Sequence, residues 1–311
     1  METAVVFQQM LILFIILAVG YIANKTGIIP TASNKTLSGI VLNIANPALV
    51  IASVSGDHSK ISGRGLAVTL LISICMFAAL IAIAFVIPKI LRAEREDEKI
   101  YNVMIVFSNI GFMGMPLVSA LMGAEALLYV AIFTLPFNFL IYTYGVQLMC
   151  AGTGKKAERF SVKKVLNIGT ISCVAVIILF FADIRLPEVL ATACSTVGGL
   201  TAPLSMLVIG VSIASMDLKS TLKDKKLWLF SFIKLMALPA LGYCILRICV
   251  NDDYLVQLAG ILFCTPVGSM VAMLAEQYTG KCELAAKGVA MTTLLSVVTI
   301  PVMLALMTMF S

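Results

Sequence analysis

The sequence predicts an all-α polytopic membrane protein: ten transmembrane helices in two inverted five-helix repeats, with broken helices 4 and 9 crossing at mid-membrane. Three observations predict it. First, nine stretches of 18 residues or more carry no charged side chain: 3–24, 36–56, 65–88, 100–124, 126–154, 165–182, 189–216, 254–275 and 288–311. A bilayer core about 30 Å thick is crossed by roughly 20 apolar residues in a helix. Segment 227–246 is a tenth candidate, interrupted only by Lys234. Second, 60% of the 311 residues are hydrophobic and 12% are charged, with a mean hydropathy of +1.05; ordinary soluble domains carry about 25% charge. Third, prolines and glycines interrupt the runs at matching places in the two halves.

Taken in order, the spans read 4–24, 34–55, 65–90, 99–122, 126–150, 163–183, 188–215, 226–249, 254–278 and 285–310. The first has no basic n-region, Glu2 being the only charge before Lys25, so it reads as a span and not as a signal peptide. Distributing Lys and Arg over alternating loops puts 17 on one side and 4 on the other, with Lys234 inside a span. The positive-inside rule places the rich side in the cytoplasm and both termini outside, in the cell membrane. The net charge of +6 is therefore a topology signal, and a nucleic-acid partner is excluded.

The longest link, 151–162, holds Gly152, Gly154 and a basic cluster around Lys155. It divides the chain into a first five-helix repeat, 1–150, a cytoplasmic linker, 151–162, and a second, inverted repeat, 163–311. The halves echo each other. A-N-P-A-L at 45–49 in the second span answers T-A-P-L-S at 201–205 in the seventh. G-M-P-L-V at 114–118 in the fourth answers C-T-P-V-G at 264–268 in the ninth. Pro47 and Pro116 are 69 residues apart, and Pro203 and Pro266 are 63 apart. An odd number of spans per repeat inserts the second half upside down, giving a pseudo-two-fold axis in the membrane plane.

Proline lacks a backbone N–H and clashes with the preceding turn, so the fourth span is expected to break around Gly111, Gly114 and Pro116. The ninth is expected to break at Pro266 and Gly268, with Thr265 as N-cap of a new half-helix. Half-helix N-termini offer N–H groups and partial positive charge to an anion. Polar side chains collect at the same depth: Ser108 and Asn109, Thr265 and Ser269, Asn46 and Asn43, and Asn138 after Pro136. An unpartnered amide in hydrocarbon is costly. Asn109, Ser108, Asn46, Asn138, Thr265 and Ser269 are therefore the candidate substrate contacts. Knitting helices together is the competing role for Asn43 and Asn138. Gly198-Gly199 reads as a close-packing pair.

No catalytic or metal constellation is visible. The eight cysteines form no CxxC pair, and the one histidine, His58, sits in a short loop beside Asp57. There is no HExxH or GxSxG, and Asp252-Asp253 reads as a solvated turn. Glu276 lies about 15 Å along the helix from Pro266, at 1.5 Å per residue. Lys234 is two turns into the eighth span and is expected to snorkel to the cytoplasm. No cofactor and no metal are expected.

L-N-I-A-N-P-A-L at 42–49, S-N-I-G-F-M-G-M-P-L at 108–117, P-L-S-M-L-V-I-G-V-S-I-A at 203–214, T-P-V-G-S at 265–269 and T-T-L-L-S-V-V-T-I-P at 292–301 resemble the auxin efflux carrier family. That family includes plant auxin transporters and bacterial malonate carriers. The resemblance runs nearly end to end, without the long central loop of many plant members. It implies a scaffold and a transport subdomain, with the fourth and ninth helices crossing at prolines matched by Pro116 and Pro266, and Asn109 as the family asparagine. It implies a secondary transporter, an efflux carrier of small organic anions such as auxin-like monocarboxylates or dicarboxylates, working by alternating access. Partners would be the organic anion and membrane lipid; a homodimer is left open. The chain departs from some relatives in having no ionisable residue over 65–88. An anion channel or membrane sensor is the alternative, and a membrane enzyme the last choice.

Overall fold

The computed structural model describes residues 3–55, 61–151, 165–279 and 282–309. His58, Asp57, the Lys155 cluster and linker residues 152–162 lie outside them. Every regular element among the described residues is helical. The main helices are α1 Thr3–Lys25, α2 Ser33–Ser55, α3 Gly63–Ile90, α4 Glu98–Val106, α5 Ile110–Met122, α6 Ala124–Cys150, α7 Ile168–Phe181, α8 Glu188–Ala214, α9 Lys225–Cys249, α10 Asp253–Phe263, α11 Ser269–Leu274 (continued by a π turn, Ala275–Thr279) and α12 Glu283–Met309, with a short helix, Leu218–Lys223, before α9. By length and composition α1, α2, α3, α6, α8, α9 and α12 can each cross a bilayer, whereas α5, α7 and α10 are shorter apolar helices. The expected fourth and ninth spans are thus each two pieces, α4 with α5 and α10 with α11.

The helices are apolar on both faces. In α1, Met10, Leu13 and Leu17 are buried while Phe7, Leu11, Ile15 and Ile22 stand exposed. A helix hydrophobic all round belongs in a membrane. Polar caps mark the ends instead. The Asp224 side chain accepts from the N–H groups of Lys226 and Leu227 at 2.9 and 3.2 Å. Asp252 accepts from Tyr254 and Leu255 at 3.1 and 3.2 Å, and Asp253 pairs with Arg247. The acidic pair is a helix cap and an ion pair.

Five π turns occur among the described residues, and three share a cause. Val41–Ala45, Ile110–Gly114 and Ile233–Ala237 each end two residues before a proline: Pro47, Pro116 and Pro239. A proline ring clashes with the carbonyl four residues back, which is Asn43, Phe112 or Leu235, inside the turn each time. Widening the turn to i→i−5 bonding relieves the clash. Asn46 N–H accordingly reaches the Val41 carbonyl, and Leu238 N–H reaches that of Ile233. Pro203 needs no such turn. It lies in the first turn of Thr201–Ala214, where no intrahelical donor is required.

The chain packs as two units. The first is Met1–Leu71, Ile110–Leu135 and Leu166–Ser215; the second is Ile72–Asn109, Pro136–Val165 and Met216–Ser311. In the first, α1 and α8 approach at glycine: a Cβ on Gly20 would stand 2.5 Å from the Leu207 carbonyl oxygen. Gly198 meets Leu49 of α2 in the same way, a Cβ there falling 2.6 Å from Leu49 Cα, so it is a packing glycine. Asn34 Nδ2 donates to Ser212 Oγ at 2.7 Å, tying α2 to α8. In the second unit an aromatic core joins Tyr101 to Phe230 at 5.4 Å between centroids and Phe107 to Phe137 at 5.5 Å. The Tyr243 hydroxyl donates to the Met307 carbonyl at 2.8 Å.

Gly20→Ala forces a Cβ onto backbone that cannot rotate away. It is expected to destabilise the purified protein by about 1–3 kcal/mol, the cost of overpacking, read as a lower thermal midpoint. Gly39→Ala, in α2 with open space around the new methyl, should hold or raise the midpoint, since alanine favours a helix over glycine by up to about 1 kcal/mol.

Candidate functional site

In the second unit, α4 stops at Val106 because Phe107 turns extended, with φ −104° and ψ 103°. α10 stops at Phe263, and Gly268 is likewise extended, with φ −67° and ψ 134°, before α11. The two non-helical stretches pair with each other. Asn109 N–H donates to the Pro266 carbonyl at 2.8 Å, and Gly268 N–H donates to the Phe107 carbonyl at 3.0 Å. Ser108 and Val267 face each other between these bonds as one antiparallel bridge. Gly268 permits the approach, because a Cβ there would come 3.1 Å from the Ser108 carbonyl oxygen.

Side chains meet some of the groups around the bridge. Val267 N–H donates to Thr292 Oγ1 at 3.1 Å, and Thr292 donates to the Gly288 carbonyl at 2.7 Å. Thr265 Oγ1 donates to the Leu262 carbonyl at 2.7 Å. The carbonyl of Ile105 would have accepted from Asn109 in a continuous helix, but that N–H is turned to Pro266. Lys234 takes its place: Nζ donates to the Ile105 carbonyl at 2.7 Å and to Ser108 Oγ at 2.8 Å. Lys234 is only 2% exposed. It sits in the π turn Ile233–Ala237 of α9, whose cause is Pro239.

Four sequence expectations are corrected here. Lys234 does not snorkel; it is directed inward onto the break. The break in the fourth span lies at Phe107–Asn109, ahead of Gly111, Gly114 and Pro116, which belong to the helical piece α5. Pro116 is therefore not the crossing residue, and the backbone pairing falls on Ser108 and Val267. Thr265 is not an N-cap. Its hydroxyl closes the preceding half-helix, and α11 begins at Ser269, with Gly268 at the cap position.

Of the candidate contacts, Ser108, Asn109, Thr265 and Ser269 are brought to one place, along with Pro266 and Gly268. Asn109 is buried at 3% exposure. Asn46 lies in the other unit, where Nδ2 donates to the Gly111 carbonyl at 3.1 Å. Asn138 is buried in α6. Asn43 is exposed and donates to the Gly39 carbonyl of its own helix at 3.0 Å. Glu276 is exposed in the π turn after α11. Among the described residues no three His, Cys, Asp or Glu gather as a metal site. Two residues at the break were not among the candidate contacts. Lys234 carried a signal, the lone charge in an apolar span five residues before a proline. Thr292 carried none, since hydroxyls are common in such helices.

A family model described as "Membrane transport protein" matches residues 5–304. A protein of Methanothermobacter thermautotrophicus named "Uncharacterized transporter" is 23% identical over 313 residues, an alignment that covers 94% of this chain and 96% of the relative.

Thr292→Val keeps the volume and removes the acceptor for Val267 N–H. Leaving that buried donor unsatisfied is expected to cost about 1–3 kcal/mol, measured as a fall in thermal midpoint. Thr292→Ser, which keeps the oxygen, should recover most of the loss.

Proposed function

The chain belongs to the membrane transport protein family, and we propose that it is a secondary transporter of small organic anions, an efflux carrier of mono- or dicarboxylates working by alternating access. The observation that carries this reading is the pair of interrupted helices whose breaks bond to each other on either side of Ser108 and Val267. Irregular backbone at membrane depth is tolerated only where protein buries it or a cavity takes it up, and discontinuous helices of this kind are where secondary transporters hold their substrates. The proposed arrangement is ten spans in two inverted five-helix repeats, with both termini outside the cell membrane.

The chemistry favours an anion. Ser108 Oγ accepts from Lys234, so its own proton is left to donate. Asn109 stands beside it, and the start of α11 at Ser269 adds helix-terminal N–H groups and partial positive charge. A carboxylate on the Ser108 hydroxyl and Asn109 amide would lie one hydrogen bond from the ammonium. Thr265 has its proton committed to Leu262, which leaves it a supporting role, and Asn46 serves the π turn of α5.

Purified protein in vesicles should take up labelled mono- and dicarboxylates saturably under an imposed gradient. Asn109→Ala should weaken substrate affinity by about 1–3 kcal/mol, the cost of removing one buried partner. Uptake no faster than in empty vesicles across the carboxylate series would contradict the proposal. Saturable uptake with unchanged Asn109→Ala affinity would take Asn109 out of the site.

A further inference from the structure

The ammonium of Lys234 has surroundings that an ordinary buried charge lacks. Intramembrane ionisable groups normally pair with one another or line a pathway. Among the described residues no carboxylate lies within ion-pair distance of Lys234; the two ion pairs there, Arg247–Asp253 and Lys287–Glu283, are elsewhere. Its partners are two neutral oxygens, the Ile105 carbonyl and Ser108 Oγ. One of these is an orphaned carbonyl at the C-terminal end of the half-helix Glu98–Val106, where the helix dipole concentrates negative charge and favours a cation. Unwound carbonyls and half-helix C-termini are also what transporters with discontinuous helices use to hold a free Na⁺. The position is that of a bound cation, and the side chain filling it is covalently attached.

We propose that Lys234 is a resident cation: its ammonium fills, on the Ile105 carbonyl and Ser108 hydroxyl, a site for a small monovalent cation, so that the carrier folds and binds its anion without Na⁺. The proposal rests on the reading of the paired break as the carboxylate site, and it adds how that site gets its positive charge. Two of the three donors of the ammonium meet the Ile105 and Ser108 oxygens, which are also hard ligands of the kind Na⁺ or Li⁺ takes. The π turn forced by Pro239 gives the long side chain its direction. A negatively charged substrate then meets a charge that is already paid for by folding, and no ion must enter and leave with it.

The test is thermal stability in matched NaCl, LiCl, KCl and choline chloride. It needs no substrate, so its failure is separate from failure of the transport reading. Wild type should have one midpoint in all four salts. Lys234→Gln should melt lower in choline chloride and be raised saturably by NaCl or LiCl, as a ligand that binds only the folded state must do. Adding Ser108→Ala should remove that response, and Lys234→Arg should show none. If Lys234→Gln is recovered folded only when purified in NaCl, that supports the proposal as well. A Na⁺-stabilised wild type overturns it, as does a Lys234→Gln protein indifferent to cations or unrecoverable in every salt.

Discussion

A backbone N–H or C=O group in the hydrocarbon core of a bilayer has no water to bond, so an interrupted helix there needs partners from within the protein. The two interruptions of this chain supply each other. Asn109 bonds Pro266 and Gly268 bonds Phe107, which closes the gap with one antiparallel bridge. Side chains meet two further groups beside the bridge: Thr292 takes the Val267 N–H and Lys234 takes the Ile105 carbonyl. Three helices, α4, α9 and α12, are thereby tied to the broken segments, and the core of the second unit is arranged around that connection. The fit is tight, because a Cβ on Gly268 would stand 3.1 Å from the Ser108 carbonyl oxygen, closer than most side chains approach.

Proline acts in two distinct ways. Pro266 sits within the second interruption, and its carbonyl takes part in the bridge. Pro47, Pro116 and Pro239 instead widen the turn before them into π geometry and leave the helix running on. For Pro239 this has a chemical consequence, since Lys234 lies in the widened turn and its ammonium reaches the end of α4. A local steric clash thus places a positive charge beside Ser108 and Asn109, where the sequence places no other charge.

Much of this was legible in the sequence, and the parts that were not have physical reasons. Uncharged runs marked the apolar helices to within a few residues, because the length needed to cross a bilayer and the absence of charge are local properties. Both interruptions were expected in the right spans. The second was expected at Pro266 and Gly268, which break a helix by their own chemistry. The first was placed too late, at Gly111–Pro116, because a π turn absorbs Pro116 and the true gap at Phe107–Asn109 is imposed by pairing with a segment about 160 residues away. Nothing in F-S-N forbids a helix. Lys234 was misread for the same reason: snorkelling is the rule for a lone lysine near a span end, and only the orphaned Ile105 carbonyl overrides it. The two packing units each draw on both halves of the chain, a pattern that no local signal encodes.

The pairing of the two interruptions is the claim on which the rest stands, and disulfide formation across it is the most direct measurement. Ser108 and Val267 face each other as a non-hydrogen-bonded antiparallel pair, a geometry with Cα atoms about 4.5 Å apart and within disulfide range. Ser108→Cys and Val267→Cys in a cysteine-free background, with a protease site inserted in the 152–162 linker, should give two fragments that stay joined after oxidation in native membranes and separate on reduction. A control pair, Ser108→Cys with Met273→Cys on an exposed position of α11, should separate in both conditions. Fragments from the 108/267 pair that separate without reduction, in a protein that still folds, would contradict the account.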